Sequence, residues 1–315
     1  MQRRYTQFAW GVLAYNILVI LWGAYVRASG SGAGCGQHWP LCNGQVIPRA
    51  EQVQTLVEFA HRITSGISLI LAVALLVWAL RIFPQGHLAR RGAKLTMIFI
   101  VIESLLGAGL VLFQLVNHNT SAARAVASGV HLVNTLLLGG AITLTAWWAG
   151  GGQAIRLRGQ GAAGWMLGVG VLAVLALGAT GAITALGDTL FPSESLGAGF
   201  AEDLNPTAHF LIRLRFWHPA LAIATGIYLL VISQILSRQR PSQGAQLGAT
   251  LLLLLFLAQL GVGAINLALL APITLQIIHL LMADLVWVAL VLLSAATLSG
   301  DAPEAGAQRA FAAAN

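Results

Sequence analysis

Four histidines, His61, His131, His218 and His279, each stand just inside the first turns of an apolar run, and those runs are the second, fourth, sixth and eighth of eight. A polar side chain in hydrocarbon is costly without a partner, so an intramembrane histidine is a functional residue by default. If the even-numbered runs all cross in one direction, the four imidazoles form a layer near one face. Two histidines on facing helices make a bis-imidazole site for a b-type haem, the bundle core supplying an apolar slot for the porphyrin. Zinc or copper would call for three or four ligands at about 2 Å, and neither half offers a third histidine or a thiolate at matching depth. Satisfied histidines bonding across helices are the structural alternative. The other four, His38, His87, His118 and His209, fall in loops or at the very start of the sixth run.

Charged residues near these positions distinguish the two halves. Glu58 precedes His61 by three residues, so on a helix the two share a face. Arg215 stands at the matching place before His218. A carboxylate beside one site and a cation beside the other makes the sites chemically unequal. Glu58 is the candidate proton acceptor or stabiliser of developing positive charge, and an ion pair with Arg62 at i+4 is its structural alternative. Arg27, Arg62, Arg124, Arg213 and Arg215 cluster at the outer ends of the runs, where haem propionates or lipid phosphates would partner them. Glu103 and Asp284 are also intramembrane acids, open to a role as proton relays or as bonds between helices.

The elements that must position these residues are legible in the hydropathy. Of 315 residues 57% are hydrophobic and only 9% charged, the signature of an integral membrane protein. A spanning helix needs about 20 mostly apolar residues. Such runs fall at 8–26, 56–80, 95–113, 127–149, 165–186, 208–236, 246–269 and 273–298. The expected fold is all-α, with eight transmembrane helices. Eleven of the 17 basic residues (Arg3, Arg4, Arg81, Arg90, Arg91, Lys94, Arg156, Arg158, Arg238, Arg240 and Arg309) lie on one side, which places both termini in the cytoplasm and the histidine layer near the outer face. The net charge of +7 therefore reports topology, and no nucleic-acid patch is present. The first run follows Arg3 and Arg4 as a signal sequence would, but it is long enough to span and is read as a retained helix.

Weak echoes recur in the same order at half-length. Gly23–Ala24 recurs as Gly181–Ala182, Leu106-Gly107-Ala108-Gly109 as Leu260-Gly261-Val262-Gly263, and Phe59-Ala60-His61 as Phe216-Trp217-His218. Copies of four helices share orientation, so the expected architecture is two four-helix bundles related by a pseudo-twofold axis along the membrane normal. The N-terminal bundle covers 1–150 and the C-terminal one 165–300, with a Gly-rich cytoplasmic linker over 151–164 and a disordered tail over 301–315. The first external loop, 27–55, holds the two cysteines, Cys35 and Cys42; an oxidising exterior permits a disulfide there, as a loop staple or a redox-active dithiol. The second, 187–207, is acidic.

These residues resemble the haem A synthase family. The resemblance covers essentially all eight runs and is strongest from Gly23-Ala24-Tyr25-Val26-Arg27 through Gly30 to Cys35, Trp39-Pro40-Leu41-Cys42 and Glu58-Phe59-Ala60-His61-Arg62. It is closest to the bacterial members with a cysteine pair in the first external loop. It implies oxidation of the C8 methyl of haem O to a formyl group by successive hydroxylation, a geminal diol then losing water, to supply haem A to terminal oxidases. Glu58 would be the catalytic carboxylate, and His61 with His131 would flank the substrate haem O. His218 and His279 would ligate a resident haem b, and Cys35 and Cys42 would form a disulfide. Expected partners are haem O, delivered by haem O synthase, an electron acceptor the motifs do not name, and the lipid of the bacterial cell membrane; a homo-oligomer is compatible with all of this.

Two other readings compete. A b-type cytochrome that only relays electrons explains the histidines but not Glu58 in one half alone, nor the cysteine loop. A transporter built from a parallel repeat explains the duplication and the intramembrane acids, but not four histidines in register.

Overall fold

A computed structural model describes residues 1–49, 52–156, 158–240 and 242–299. The expected tail lies outside the described residues. The chain is all-helical, with ten helices among the described residues: α1 (Gln2–Ala28), α2 (Val53–Ile82), α3 (Leu88–Leu112), α4 (Ala122–Ala149), α5 (Ala162–Leu190), α6 (Leu196–Asp203), α7 (Phe210–Arg215), α8 (Trp217–Gln239), α9 (Gln243–Ala268) and α10 (Ile273–Leu298). Eight helical segments are long and apolar enough to cross a membrane, α7 and α8 together forming the sixth. This is a multi-pass membrane protein. Helices α1 to α5 and α9 begin several residues before their apolar runs, because backbone bonding continues into the interfacial zone where hydropathy has already fallen.

Ser121, Ser195 and Ser242 cap α4, α6 and α9 through their hydroxyls, satisfying amides that would otherwise lack partners. The break between α7 and α8 has a local cause. Pro219 has no N–H for the Arg215 carbonyl one turn earlier, so the ladder is interrupted just before His218. Two boundaries differ from the sequence reading. Helix α5 begins at Ala162, inside the stretch read as linker, and runs to Leu190, so Asp188 is helical; the acidic loop also contains α6, a helix too short to show in hydropathy.

Helices α1 to α4 touch in a closed circuit, α1 against α2, α2 against α3, α3 against α4 and α4 against α1. Helices α5, α8, α9 and α10 close a second circuit in the same order. Between circuits α4 meets α5 and α10, and α10 also meets α1. Exchanging the first four spans for the last four maps this pattern onto itself. The seam is packed by Trp287 of α10, whose indole lies over Gly139 and Gly140 of α4 and donates to the Leu136 carbonyl at 2.6 Å. A cavity of about 10 Å³ beside it is lined by Asn16, Thr135 and Asp284. Outward faces carry apolar side chains such as Ile70, Leu105, Leu172 and Leu254, as lipid contact requires.

Candidate functional site: four imidazoles seated on glycines

Each of the four histidines packs on a glycine of the preceding spanning helix. A Cβ added at Gly23 would stand 2.9 Å from His61 Cε1, and one at Gly181 would stand 3.0 Å from His218 Cε1. At Gly263 the distance to His279 Cε1 would be 2.8 Å, and at Gly107 the distance to His131 Cε1 would be 3.6 Å. Three of these are closer than side-chain carbons normally come, so the missing Cβ is what admits the ring. The sequence echo aligned Gly107 with Gly261, but the ring contacts align it with Gly263. A string of small residues scores well in several registers, whereas only one glycine faces the imidazole.

All four histidines are half-buried. His218 and His279 face each other with ring centroids 6.4 Å apart and planes at 85°. Imidazoles bound on opposite sides of one metal at about 2 Å each would put their ring centres roughly 6 Å apart. His61 and His131 stand on α2 and α4, each against a glycine of the spanning helix before it. The Nδ1 atoms of His61, His131 and His279 are buried without a protein partner, whereas Nδ1 of His218 is engaged by the Thr180 hydroxyl at 3.2 Å. A facing pair of imidazoles in the second half, and orphaned imidazole nitrogens in both halves, each ring packed where the neighbouring helix lacks a Cβ, form a donor set suited to the axial positions of a flat iron macrocycle. Among the described residues there is no group of three or more His, Cys, Asp or Glu able to cage a bare ion.

Glu58 is buried at 3% exposure, and both its oxygens are engaged. One accepts the Cys35 amide at 2.8 Å, and the other takes the Arg62 guanidinium through Nε at 3.1 Å and a second nitrogen at 2.5 Å. The i+4 ion pair therefore forms. Arg62 also donates to the carbonyls of His38 and Leu41. Cys35 and Cys42 are joined in a disulfide with Cα atoms 4.4 Å apart, and the loop they close is thereby tied to the first turns of α2. Gly34 is required at the contact, since a Cβ there would run into the backbone of Gln54 and Thr55.

In the second half the charges are inverted. Arg215, 7% exposed, bonds Asp203 at 2.9 Å and the Phe191 carbonyl at 3.0 Å, with Asp188 at 3.5 Å and Glu202 at 3.6 Å. The acidic second loop thus folds over the cation that occupies the position of Glu58. Burial raises the Asp203 carboxyl above its ordinary range, and Arg215 opposes that rise.

The remaining arginines separate. Arg27 crosses the seam and donates to the Ala185 carbonyl at 2.6 Å, Thr189 at 2.7 Å and Gln276 at 2.9 Å. Arg124 is buried and spends its guanidinium on the carbonyls of Asn117 and Asn119. Arg213 is exposed, reaching only as far as the Pro206 carbonyl at 3.5 Å.

The sequence leaves Glu103 open between a proton relay and a bond between helices, and the structure puts it on the imidazole: its Oε1 lies 3.1 Å from His131 Nε2. Gln259 occupies the corresponding place in the second half, 3.3 Å from His279 Nε2. The available signal was spacing, because each stands four residues before the glycine that seats its histidine.

Residues 6–291 match the model of a family described as cytochrome oxidase assembly protein. The chain is 53% identical over 306 residues to a Thermus thermophilus protein named "Protoheme IX farnesyltransferase", a match covering 97% of this chain and 50% of that protein. It is 35% identical over 134 residues to "Heme A synthase" of an Exiguobacterium species, covering 42% of this chain and 43% of that one. The same name belongs to a Symbiobacterium thermophilum protein 43% identical over 99 residues, 31% of this chain and 32% of that one. The chain spans about half the length of the Thermus relative that it matches almost throughout.

Proposed function

The chain belongs to the cytochrome oxidase assembly protein family, and on that premise we propose that it makes haem A by oxidising the C8 methyl of haem O to a formyl group through successive hydroxylation. The observation that carries this reading is the paired, glycine-seated histidines, with His218 and His279 at the spacing of two ligands to one iron. Partial matches to proteins named for haem A synthesis favour it over a simple electron relay.

The two circuits of helices are pseudo-twofold copies, residues 1–150 taking haem O between His61 and His131, and residues 165–300 holding haem b between His218 and His279. When bound, haem b supplies one-electron transfer. The chain's own residues supply the binding and positioning. Gly23, Gly107, Gly181 and Gly263 let the imidazoles reach inward, and the tightly packed seam helices exclude water. Glu58, one turn before His61 and paired with Arg62, is the carboxylate of the first site, fixed at its outer end by that pair and the disulfide loop. Arg213 has the freedom to meet a propionate, whereas Arg27 and Arg124 are committed to protein carbonyls. Both termini lie in the cytoplasm of a bacterial cell and the sites lie near the outer face.

Prenyl transfer to haem is a second reading, favoured by the name of the Thermus relative. One experiment separates them. The chain is expressed in cells that make haem O but not haem A, and in cells that make only haem B, and the pigments are extracted. We expect haem A in the first strain and no haem O in the second. With Glu58→Ala we expect haem O or a hydroxylated intermediate in place of haem A. Haem O appearing in the second strain would establish prenyl transfer instead, and unchanged haem A in the variant would remove Glu58 from the mechanism.

A further inference from the structure

The acid on His131 has a seat built for it. Glu103 Oε1 accepts the Thr135 hydroxyl at 2.5 Å as well as facing His131 Nε2, and Oε2 accepts the Asn134 amide at 2.6 Å. His131, Asn134 and Thr135 are spaced i, i+3 and i+4, so one face of α4 presents three donors to one carboxylate. Such convergence on both oxygens is the environment of an ionised carboxylate held in a fixed place.

The second half keeps the framework and removes the charge. Gln259 stands four residues before Gly263 as Glu103 stands four before Gly107, and it too reaches its histidine. The positions after His279 that correspond to Asn134 and Thr135 are Met282 and Ala283, which offer no strong donor. Acid and donors are present together in one half and absent together in the other, as an anion seat requires.

We propose that Glu103 is a positioning residue that acts through His131 to make the first site's iron the more easily oxidised of the two, with Gln259 as its neutral counterpart. The inference rests on the reading of the histidine pairs as haem ligands. A fixed negative charge at hydrogen-bond distance from an axial imidazole stabilises the ferric over the ferrous state, and a low-dielectric interior strengthens the effect. With haem held in both halves, an electron would run from the first iron to the second, a transfer in which no bond is made or broken. The same fold thus sets a direction for electrons, out of the half that takes substrate and into the half that does not.

Potentiometric titration of the purified haem-loaded protein, followed by absorbance, tests this. The wild type should show two potentials, and the lower should vanish from His61→Ala and persist in His218→Ala. Glu103→Gln should raise the lower potential by at least about 59 mV, the equivalent of a tenfold change in a one-electron equilibrium, and leave the upper where it is. Gln259→Glu should lower the upper potential, an independent measurement if Glu103→Gln folds poorly. A lower potential that ignores Glu103→Gln, or an upper one that ignores Gln259→Glu, overturns the proposal. Wild-type protein that binds no haem would instead overturn the ligand reading on which it stands.

Discussion

At the scale of the residue, the chemistry depends on what is missing beneath each imidazole as much as on the imidazole. A methyl group at Gly263 would fall 2.8 Å from the ring of His279, whereas one at Gly107 would fall 3.6 Å from that of His131, an ordinary contact. Overpacking of this kind costs about 1–3 kcal/mol. On the proposed reading of the histidine pairs as haem ligands, Gly263→Ala should therefore weaken haem retention in the second half by roughly ten- to a hundredfold. Gly107→Ala should be nearly silent in the first half, and Gly11→Ala, with open space around it, should be silent everywhere. Haem content and visible spectra of the three variants read the difference, and equal losses at Gly107 and Gly263 would show that the seats do not work by close contact. Glu58 illustrates the converse case. Its spacing to His61 and its spacing to Arg62 are both helical neighbours, and the structure chose the pair with the charge.

At the scale of the element, the two long loops that follow α1 and α5 do the same job with opposite charge. The first is closed by Cys35–Cys42 and locked to α2 through Glu58 and Arg62; the second is closed by the carboxylates of Asp188, Glu202 and Asp203 around Arg215. Removing one partner of a buried pair leaves the other charges uncompensated, at a cost of about 3 kcal/mol. Arg215→Met should lower the melting temperature in detergent and open the segment 191–209 to protease, while the first loop stays protected. Cleavage appearing in both loops at once would mean that they are not independent clamps. The break between α7 and α8 sits directly above His218, and Pro219 accounts for it; that much can be read from the sequence, since a proline just inside a helix interrupts one bond of the ladder.

At the scale of the whole molecule, the seam between the two circuits holds polar bonds that no single helix would reveal. Arg27 reaches from α1 to α5 and α10, and Trp287 reaches from α10 to α4. Arg27→Met and Trp287→Phe should each destabilise the assembled protein, by about 1–3 kcal/mol for the buried acceptors they abandon. Asp284→Asn should leave stability unchanged or raise it, because one carboxylate oxygen is buried there without a partner. Thermal melts of the three in one detergent check the ordering, and a large loss from Asp284→Asn would reveal a partner for that acid across the cavity.

The amino-acid sequence alone determined the all-helical class, the eight crossings, the place of the four histidines early in their helices and the presence of an acid in one half at the position that a base holds in the other. These follow from hydropathy and helical spacing, which are properties of neighbours along the chain. Tertiary structure decided which glycine seats which ring, that Glu58 is spent on Arg62 and the disulfide loop, that Arg27 stitches the halves together, and that Glu103 rather than Glu58 touches an imidazole. Each of these is a choice of partner across a helix boundary. Where every helix is apolar all round, composition carries no mark of which face meets which neighbour, and only close packing selects it.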